Sequence, residues 1–507
     1  MRLLPRPRVA PEAMIAIGFV AAAGVAERVF AYRSSIGVPD SDEGVVGLMA
    51  RHVLHGQFST FYWGSSYGGT IESVLTAPIF FVFGTSWLAL RIVPILLSGL
   101  AALVVWRAGR RLYGEPAASV AGAILWVWPP FLVAHLTLQQ SGFYASGLVF
   151  GATLILLALR AVEAPTRGRV TALGFVAGVA LWDDVQLITV IIPLVIWLCW
   201  RQRRVLAQAW VAVPALVIGA SPWIVWNLRH DFASFNTHIT TSSSYGYRLR
   251  LFFSPLLPML LGLRSLYNQA PILSAVFVDV VLLALLAAFA YGAYRSYRRN
   301  AGVLYVIGLA FPFLYALTRA AIVTDEPRYL LQLSPVLALL LGQVVSARRR
   351  VRATALVVFA AALTLSGVTL ARSASWRDTH PRNPAIAPRD LRPLLRVLHD
   401  AGIDRVYAQY WVAYRIDFET DEHVVAAESK LKSLKWIGGR PIPGAYAATR
   451  WRPYVREVNA SPRAGFVFVV WSQDRNGAKR LAVRKDLEAH GFIRHRYEDL
   501  VILVPPG

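Results

Sequence analysis

The sequence predicts a polytopic, all-α membrane domain followed by a small extracytoplasmic α/β domain. Three observations carry that expectation. Of 507 residues, 56% are hydrophobic and 16% charged, where a soluble chain carries roughly a quarter charged residues. Apolar stretches long enough to cross about 30 Å of hydrocarbon recur from residue 11 to residue 371. Residues 373–507 are densely charged and hold no such stretch. The expected parts are a membrane domain at 1–372, a proline-rich linker at 373–390 and a soluble domain at 391–507.

Candidate spans lie at about residues 11–31, 86–106, 116–134, 141–160, 170–182, 184–200, 206–225, 274–294, 302–319, 329–346 and 353–371. The segments 170–182 and 184–200 are nearly continuous. They read as a tight helical hairpin turning at Trp182-Asp183-Asp184; the alternative, one long helix, inverts everything after it. The basic clusters choose between these. Arg2, Arg6 and Arg8; Arg107, Arg110 and Arg111; Arg160, Arg167 and Arg169; Arg201, Arg203 and Arg204; Arg295, Arg298 and Arg299; and Arg348 to Arg350 with Arg352 all fall on one side if the hairpin exists. The positive-inside rule makes that side cytoplasmic. The N-terminus is then inside and the tail, after about eleven crossings, is outside. The net charge of +23 reflects orientation in the bilayer, and no nucleic-acid partner is expected. The first span is either a signal anchor or a cleaved signal. It lacks a clear small-residue cleavage site and has Glu27 and Arg28 near its end, which favours retention. The single cysteine, Cys199, excludes an intrachain disulfide.

The unusual residues lie in the outer loops. Residues 32–85 are too many for a turn. Asp40, Asp42 and Glu43 precede the pattern Val45, Val46, Met49, Val53, with Gly56 as a stop, which reads as an amphipathic interfacial helix. A short apolar helix at about 70–83 follows Gly68-Gly69. Asp42 and Glu43 are explicable as acids at a helix N-terminus, but they share the membrane face with Tyr62, Trp63 and Tyr67. These aromatics are candidate acceptor or sugar contacts, or only an interfacial belt. The outer loop 226–253 carries Arg229, His230, Asp231, His238, Arg248 and Arg250 against the positive-inside trend. Arginines on that side suggest an anionic ligand, because the guanidinium fork matches phosphate. Near the end of the domain, Glu326-Pro327-Arg328-Tyr329 opens a helix just below the surface; a snorkelling arginine paired with Asp325 or Glu326 is the plainer account. Asp183 and Asp184 suit a turn and are also weak metal-ligand candidates, as is His135, which more simply packs in the core. No Walker loop, HExxH, CxxC or nucleotide fingerprint occurs.

The order of these features resembles the bacterial members of glycosyltransferase family 39, GT-C-fold enzymes related to protein O-mannosyltransferases and to the lipid A aminoarabinose transferase. The resemblance rests on a basic N-terminus, a first span, Ser41-Asp42-Glu43 with Ala50 and Gly56, Pro222-Trp223-Ile224-Val225-Trp226-Asn227 with His230-Asp231-Phe232-Ala233-Ser234-Phe235, and Glu326-Pro327-Arg328-Tyr329-Leu330-Leu331. It covers about residues 11–346. It implies a mannosyltransferase-like cell-envelope enzyme with a polyprenyl-phosphate sugar donor and an extracytoplasmic glycan, lipid or protein acceptor. Asp42 matches the family's first-loop aspartate, which implies a general base, and Glu43 its acidic partner. Inverting transfer needs one carboxylate to take a proton while the sugar–phosphate bond opens. A cation stabilises the phosphate leaving group better than a second acid; Arg328 with Tyr329, then Arg229 and His230, are the candidates. Asp40 is a third acid, so which carboxylate acts is open, as is a need for a divalent metal.

The tail alternates helical and extended patterns: Leu391–Ala401 helical, Arg405–Tyr410 and His423–Ala427 extended, Gly465–Trp471 a buried strand, Ala478–His490 helical, Phe492–Val504 extended. Tyr410, Trp411, Tyr414 and Arg415 suit core packing better than sugar stacking. Two non-enzymatic readings compete, a lipid or glycan flippase and a non-catalytic subunit of an envelope-assembly complex. A transporter places its ionisable groups deep in its spans. The acids here lie in a long outer loop, which favours the enzyme.

Overall fold

A computed structural model describes residues 11–133, 138–140, 142–235, 243–324, 327–380, 388–444, 449–470 and 476–506. The membrane part runs α1 (Pro11–Arg33), α2 (Ser41–Leu54), α3 (Ile71–Phe83), α4 (Trp87–Tyr113), α5 (Ala117–Val127), α6 (Tyr144–Glu163), α7 (Arg167–Asp183) and α8 (Ile188–Arg201). It continues with α9 (Ala209–Gly219), α10 (Ser221–Arg229), α11 (Tyr245–Leu251), α12 (Leu257–Leu260), α13 (Ala275–Ser296), α14 (Gly302–Leu317), α15 (Ser334–Ser346) and α16 (Val351–Thr379). The soluble part holds α17 (Arg392–Asp400), β1 (Arg405–Ala408), α18 (Tyr410–Glu419), β2 (Val425–Glu428), β3 (Leu434–Ile437), β4 (Arg440–Pro443), α19 (Arg452–Ala460), β5 (Gly465–Val469), α20 (Gly477–Ala489), β6 (Ile493–Tyr497) and β7 (Leu500–Val504).

The chain is a multi-pass membrane protein. Among the described residues six helices are long and apolar enough to cross a bilayer, or seven if Val185–Arg201 and Arg203–Gly219, bent by 112°, form one broken span. That is fewer than the eleven or so expected, because several apolar runs are divided into shorter helices. The run at 116–134 loses its helix at Val127, before Pro129 and Pro130. The run at 206–225 is divided between α9 and α10 around Ser221-Pro222. The expected break between 170–182 and 184–200 falls where α7 ends at Asp183 and α8 begins at Ile188; the two helices pack chiefly on other neighbours, α7 on α6 and α9, α8 on α14 and α6. α16 continues past residue 372 to Thr379, so the membrane helix extends into the stretch expected to be linker.

The soluble part is a five-stranded mixed sheet in the order β2-β1-β5-β7-β6, with a separate β3-β4 hairpin. Strands β2, β1 and β5 are parallel; β7 and β6 run antiparallel to their neighbours. The central strands GFVFV and LVILV are buried throughout, as strands covered on both faces must be.

This part sits directly on α2. The sequence predicts an amphipathic helix at the interface; in the fold Ser41 and Glu43 to Ala50 are buried. The cause is a smooth face. A Cβ on Gly44 would lie 2.6 Å from the Tyr414 carbonyl oxygen, and one on Gly47 would lie 2.3 Å from the Phe418 ring. Only glycine lets α18 approach so closely. Phe418 also reaches Trp87 at the start of α4, with ring centroids 4.4 Å apart.

Candidate active site

The first turn of α2 collects the three predicted acids and gives each a different environment. Asp40 is the N-cap: its backbone is extended and Oδ1 accepts from the Glu43 amide at 2.9 Å. Burial, then the charge of Asp42, push its carboxyl up to about 7, with Arg328 opposing them.

Glu43 is paired. Arg91 of α4 donates from Nε to Oε1 at 2.6 Å and from Nη2 to Oε2 at 2.7 Å, while its Nη1 donates to the Gly37 carbonyl at 3.1 Å. Both side chains are 1% exposed. A bidentate buried pair of this kind holds α2 in register on α4. Both Glu43 oxygens are committed to the guanidinium, so the carboxylate is a structural anchor.

Asp42 is held by one oxygen only. The Tyr62 hydroxyl lies 3.3 Å from Oδ1 and 3.1 Å from the Asp42 carbonyl oxygen. The Tyr410 hydroxyl donates to the same Oδ1, and Arg450 Nη2 lies 3.5 Å from it. The Arg450 guanidinium also lies over the Tyr62 and Tyr410 rings, at 4.9 and 5.4 Å, and its Nε donates to the Tyr410 hydroxyl at 3.1 Å. Among the described residues nothing donates to Oδ2, and the side chain is 23% exposed. The result is a fixed carboxylate with one oxygen anchored and the other open to an incoming hydroxyl.

An aromatic row leads away from it. Tyr67 meets Phe143 edge-on at 6.2 Å, Phe143 meets Tyr144 at 4.7 Å, and Tyr144 meets Tyr329 at 6.2 Å. Tyr329 follows Arg328 in the tight turn Arg328–Leu333 that opens α15, and the charge of Arg328 acts on Asp40. Arg328 and Tyr329 thus lie within electrostatic range of the acid turn. Of the predicted aromatics, Tyr62 contacts Asp42 and Tyr67 is half-exposed in the row. Trp63 is stacked on Trp451 of the soluble part, 4.2 Å apart and 18° from parallel. Its surface is used for docking.

Arg229 and His230 lie at the exposed end of α10. The His230 ring lies flat on Trp226 at 4.2 Å with Nδ1 2.8 Å from that residue's carbonyl oxygen. Among the described residues no bond joins either of them to the acid turn. Their segment does reach the first loop, where the Ser234 hydroxyl donates to the Ser66 carbonyl at 2.5 Å.

Asp183 and Asp184 close α7 inside a buried polar network. The Ser146 hydroxyl donates to Asp183 Oδ2 at 2.5 Å, the Ser146 amide donates to Glu72 Oε1 at 2.9 Å, and Gln332 Nε2 donates to Asp184 Oδ2 at 2.6 Å. Among the described residues no group of three or more His, Cys, Asp or Glu is arranged to hold a metal. His135 lies outside the described residues.

Residues 73–226, from α3 into α10, match the family model described as dolichyl-phosphate-mannose-protein mannosyltransferase. Over that stretch the chain is similar to the glycosyltransferases of this family. The matched stretch includes Arg91, Asp183 and Asp184, and stops short of Asp42 and the soluble part. The fold extends the likeness. ArnT from Cupriavidus metallidurans in the apo state superposes with a TM-score of 0.63 at 15% identity, over 96% of this chain and 98% of that one. The same protein bound to undecaprenyl phosphate gives 0.62 at 16% over the same shares. The Archaeoglobus fulgidus oligosaccharyltransferase in complex with Zn and sulfate gives 0.50 at 13%, over 96% of this chain and 72% of that one. No curated protein sequence is matched. The shared fold therefore includes the tail for which the sequence offered no motif.

Three residues at the site escaped sequence reasoning. Arg91 carried a signal, a lone charge within WLALRIVPILL. Tyr410 was noted and assigned to packing. Arg450, in a polar stretch between elements, carried none.

Proposed function

We propose that this chain transfers one sugar, with inversion, from a polyprenyl-phosphate carrier to an acceptor hydroxyl on the extracytoplasmic side, with Asp42 as the general base. The observation that carries this reading is the asymmetry of Asp42: Oδ1 is anchored by Tyr62, Tyr410 and Arg450, while Oδ2 faces no donor among the described residues. A base is most useful when its free oxygen is fixed before the acceptor arrives. The ArnT structure bound to undecaprenyl phosphate supports a carrier of that chemical class.

The acceptor oxygen attacks the anomeric carbon and its proton passes to Asp42 Oδ2. The anomeric carbon–oxygen bond to phosphate breaks, and the carrier leaves as a phosphate monoester with one more negative charge. Arg328, with the Tyr329 hydroxyl beside it, stabilises that charge. Arg229 and His230 lie at the exposed end of α10. The basic turns face the cytoplasm, as the positive-inside rule requires, and the soluble domain with the acid turn faces the other way.

Asn at position 42 keeps the Oδ1 acceptor for all three donors and loses the basicity. Asp42→Asn lowers kcat by about 10²–10⁴-fold in full-length protein reconstituted with a polyprenyl-phosphate sugar and acceptor. Wild-type turnover in that variant, with unchanged melting temperature, would remove the assignment.

A further inference from the structure

We propose that the soluble domain furnishes part of the transfer site itself, with Arg450 as a positioning residue that acts through Asp42. This rests on the reading of Asp42 as the base and adds to it the source of that carboxylate's orientation.

The geometry is specific. In the soluble sheet β1 leads through α18 to β2 on one side, while β5 lies on the other, so the direction of winding reverses between β1 and β5. A crevice outside the carboxyl ends of parallel strands at such a reversal is the usual place for a functional group in an open α/β sheet. Tyr410, at the carboxyl end of β1, is the residue whose hydroxyl reaches Asp42. Gln409 before it is buried and ties β1 to β5: its Oε1 accepts from the Val469 amide at 2.6 Å. The crevice is thus turned onto the acid turn of α2.

Arg450 is fixed there from several directions. Its amide donates to the Tyr414 hydroxyl at 2.6 Å and its Nε to the Tyr410 hydroxyl. Gly64 of the first loop lies under its backbone, where a Cβ would stand 2.7 Å from the Arg450 Cα. The neighbouring Trp451 is stacked on Trp63. Farther along α2, Arg51 pairs with Asp421 at 3.3 Å, and His52 contacts Glu422 at 3.1 Å. These contacts run from the first loop to the last turn of α2, so the domain is seated on the membrane part with the guanidinium beside Asp42. Without that guanidinium the carboxylate can swing toward Tyr62 and carry Oδ2 off the line of the acceptor.

The test uses full-length protein in lipid nanodiscs with a polyprenyl-phosphate sugar donor and an acceptor alcohol. Arg450→Gln, which keeps length and a donor but loses the charge, should lower kcat by about 10–100-fold, the scale of a misplacement of about 1 Å, with donor KM unchanged. Arg450→Lys, which restores the charge, should recover most of the loss. Trp451→Ala, which loosens docking without touching Asp42, controls for a merely structural effect and should cost less in kcat than Arg450→Gln. Wild-type kcat in Arg450→Gln overturns the inference while leaving Asp42→Asn to judge the base. A rise in donor KM with kcat unchanged also overturns it, because Arg450 would then be a donor-phosphate ligand. Failure of Lys to recover activity, with Trp451→Ala as impaired as Arg450→Gln, reduces the residue to a docking contact.

Discussion

Breaking the Glu43–Arg91 pair should destabilise the protein far more than removing both charges together. The pair is 1% exposed on each side and bidentate at 2.6 and 2.7 Å. Arg91→Met leaves a carboxylate in a site with no other cation bonded to it among the described residues, and an uncompensated buried charge costs about 3–5 kcal/mol. Glu43→Leu strands the Arg91 guanidinium with only the Gly37 carbonyl at 3.1 Å as its acceptor among the described residues, again a loss of about 3–5 kcal/mol. Glu43→Leu with Arg91→Met removes both charges, and well-packed apolar replacement of a buried pair is often neutral. The coupling between the sites should therefore exceed about 2 kcal/mol, within the range for direct contacts. The assay is thermal melting of purified full-length single and double variants in the same detergent. The double variant should melt close to wild type and above Arg91→Met. It should also retain measurable sugar transfer, because Glu43 anchors α2 and takes no proton. A double variant that melts as low as the two single losses added would refute the pairing energetics, and one that melts normally yet is as inactive as Asp42→Asn would return Glu43 to the chemistry.

Asp40 makes stability depend on pH. Its carboxyl is raised to about 7 in the folded chain, so the folded state holds a proton that the unfolded state releases near pH 4. Stability from this group is full below about pH 4 and declines as pH rises to about 7. Asp40→Asn keeps the helix cap and should flatten the melting temperature between those limits; an unchanged slope refutes the assignment. Arg328→Ala should raise the donor KM by roughly tenfold or more, from loss of a charge-assisted bond worth about 1.5–3 kcal/mol, with acceptor KM little changed. Unaltered donor binding in a titration would take Arg328 out of the phosphate site.

Much of the fold was legible where local pattern decides it. The Ser41-Asp42-Glu43 start of α2, the extended pattern of β1, the continuous apolar run of β5 and the helical pattern of α20 lie where the sequence placed them. Span number was not legible, since Pro129 and Pro222 divide runs that hydropathy alone joins. The roles of the acids were not legible either. Asp42 and Glu43 are neighbours in sequence, but successive residues on a helix point about 100° apart. One carboxylate therefore meets Arg91 inside the membrane part and the other meets Tyr410 and Arg450 from the soluble part. Those partners are 48, 368 and about 400 residues away, and no spacing rule connects them. Tyr410 was assigned to packing for the same reason: within its own domain it does pack, against Trp411 and Tyr414.

The two partners explain why α2 is built as it is. Glu43 fixes its membrane side through Arg91, and Gly44 and Gly47 open its other side to α18. Asp42 is caught between these contacts, so neither half of the molecule orients it alone. A carboxylate placed only by the membrane part would turn freely about its side-chain bonds and lose the advantage of a fixed base. One placed only by the soluble domain would move with each excursion of that domain. Clamping one helix from both sides gives Asp42 a single orientation at the seam, as the proposed role of a base requires. The glycines are therefore as much a part of the proposed catalytic design as the acid beside them: Gly44→Ala sets a methyl group against the Tyr414 carbonyl oxygen, lifts the soluble domain from α2, and should reduce transfer without altering a single polar group at the site.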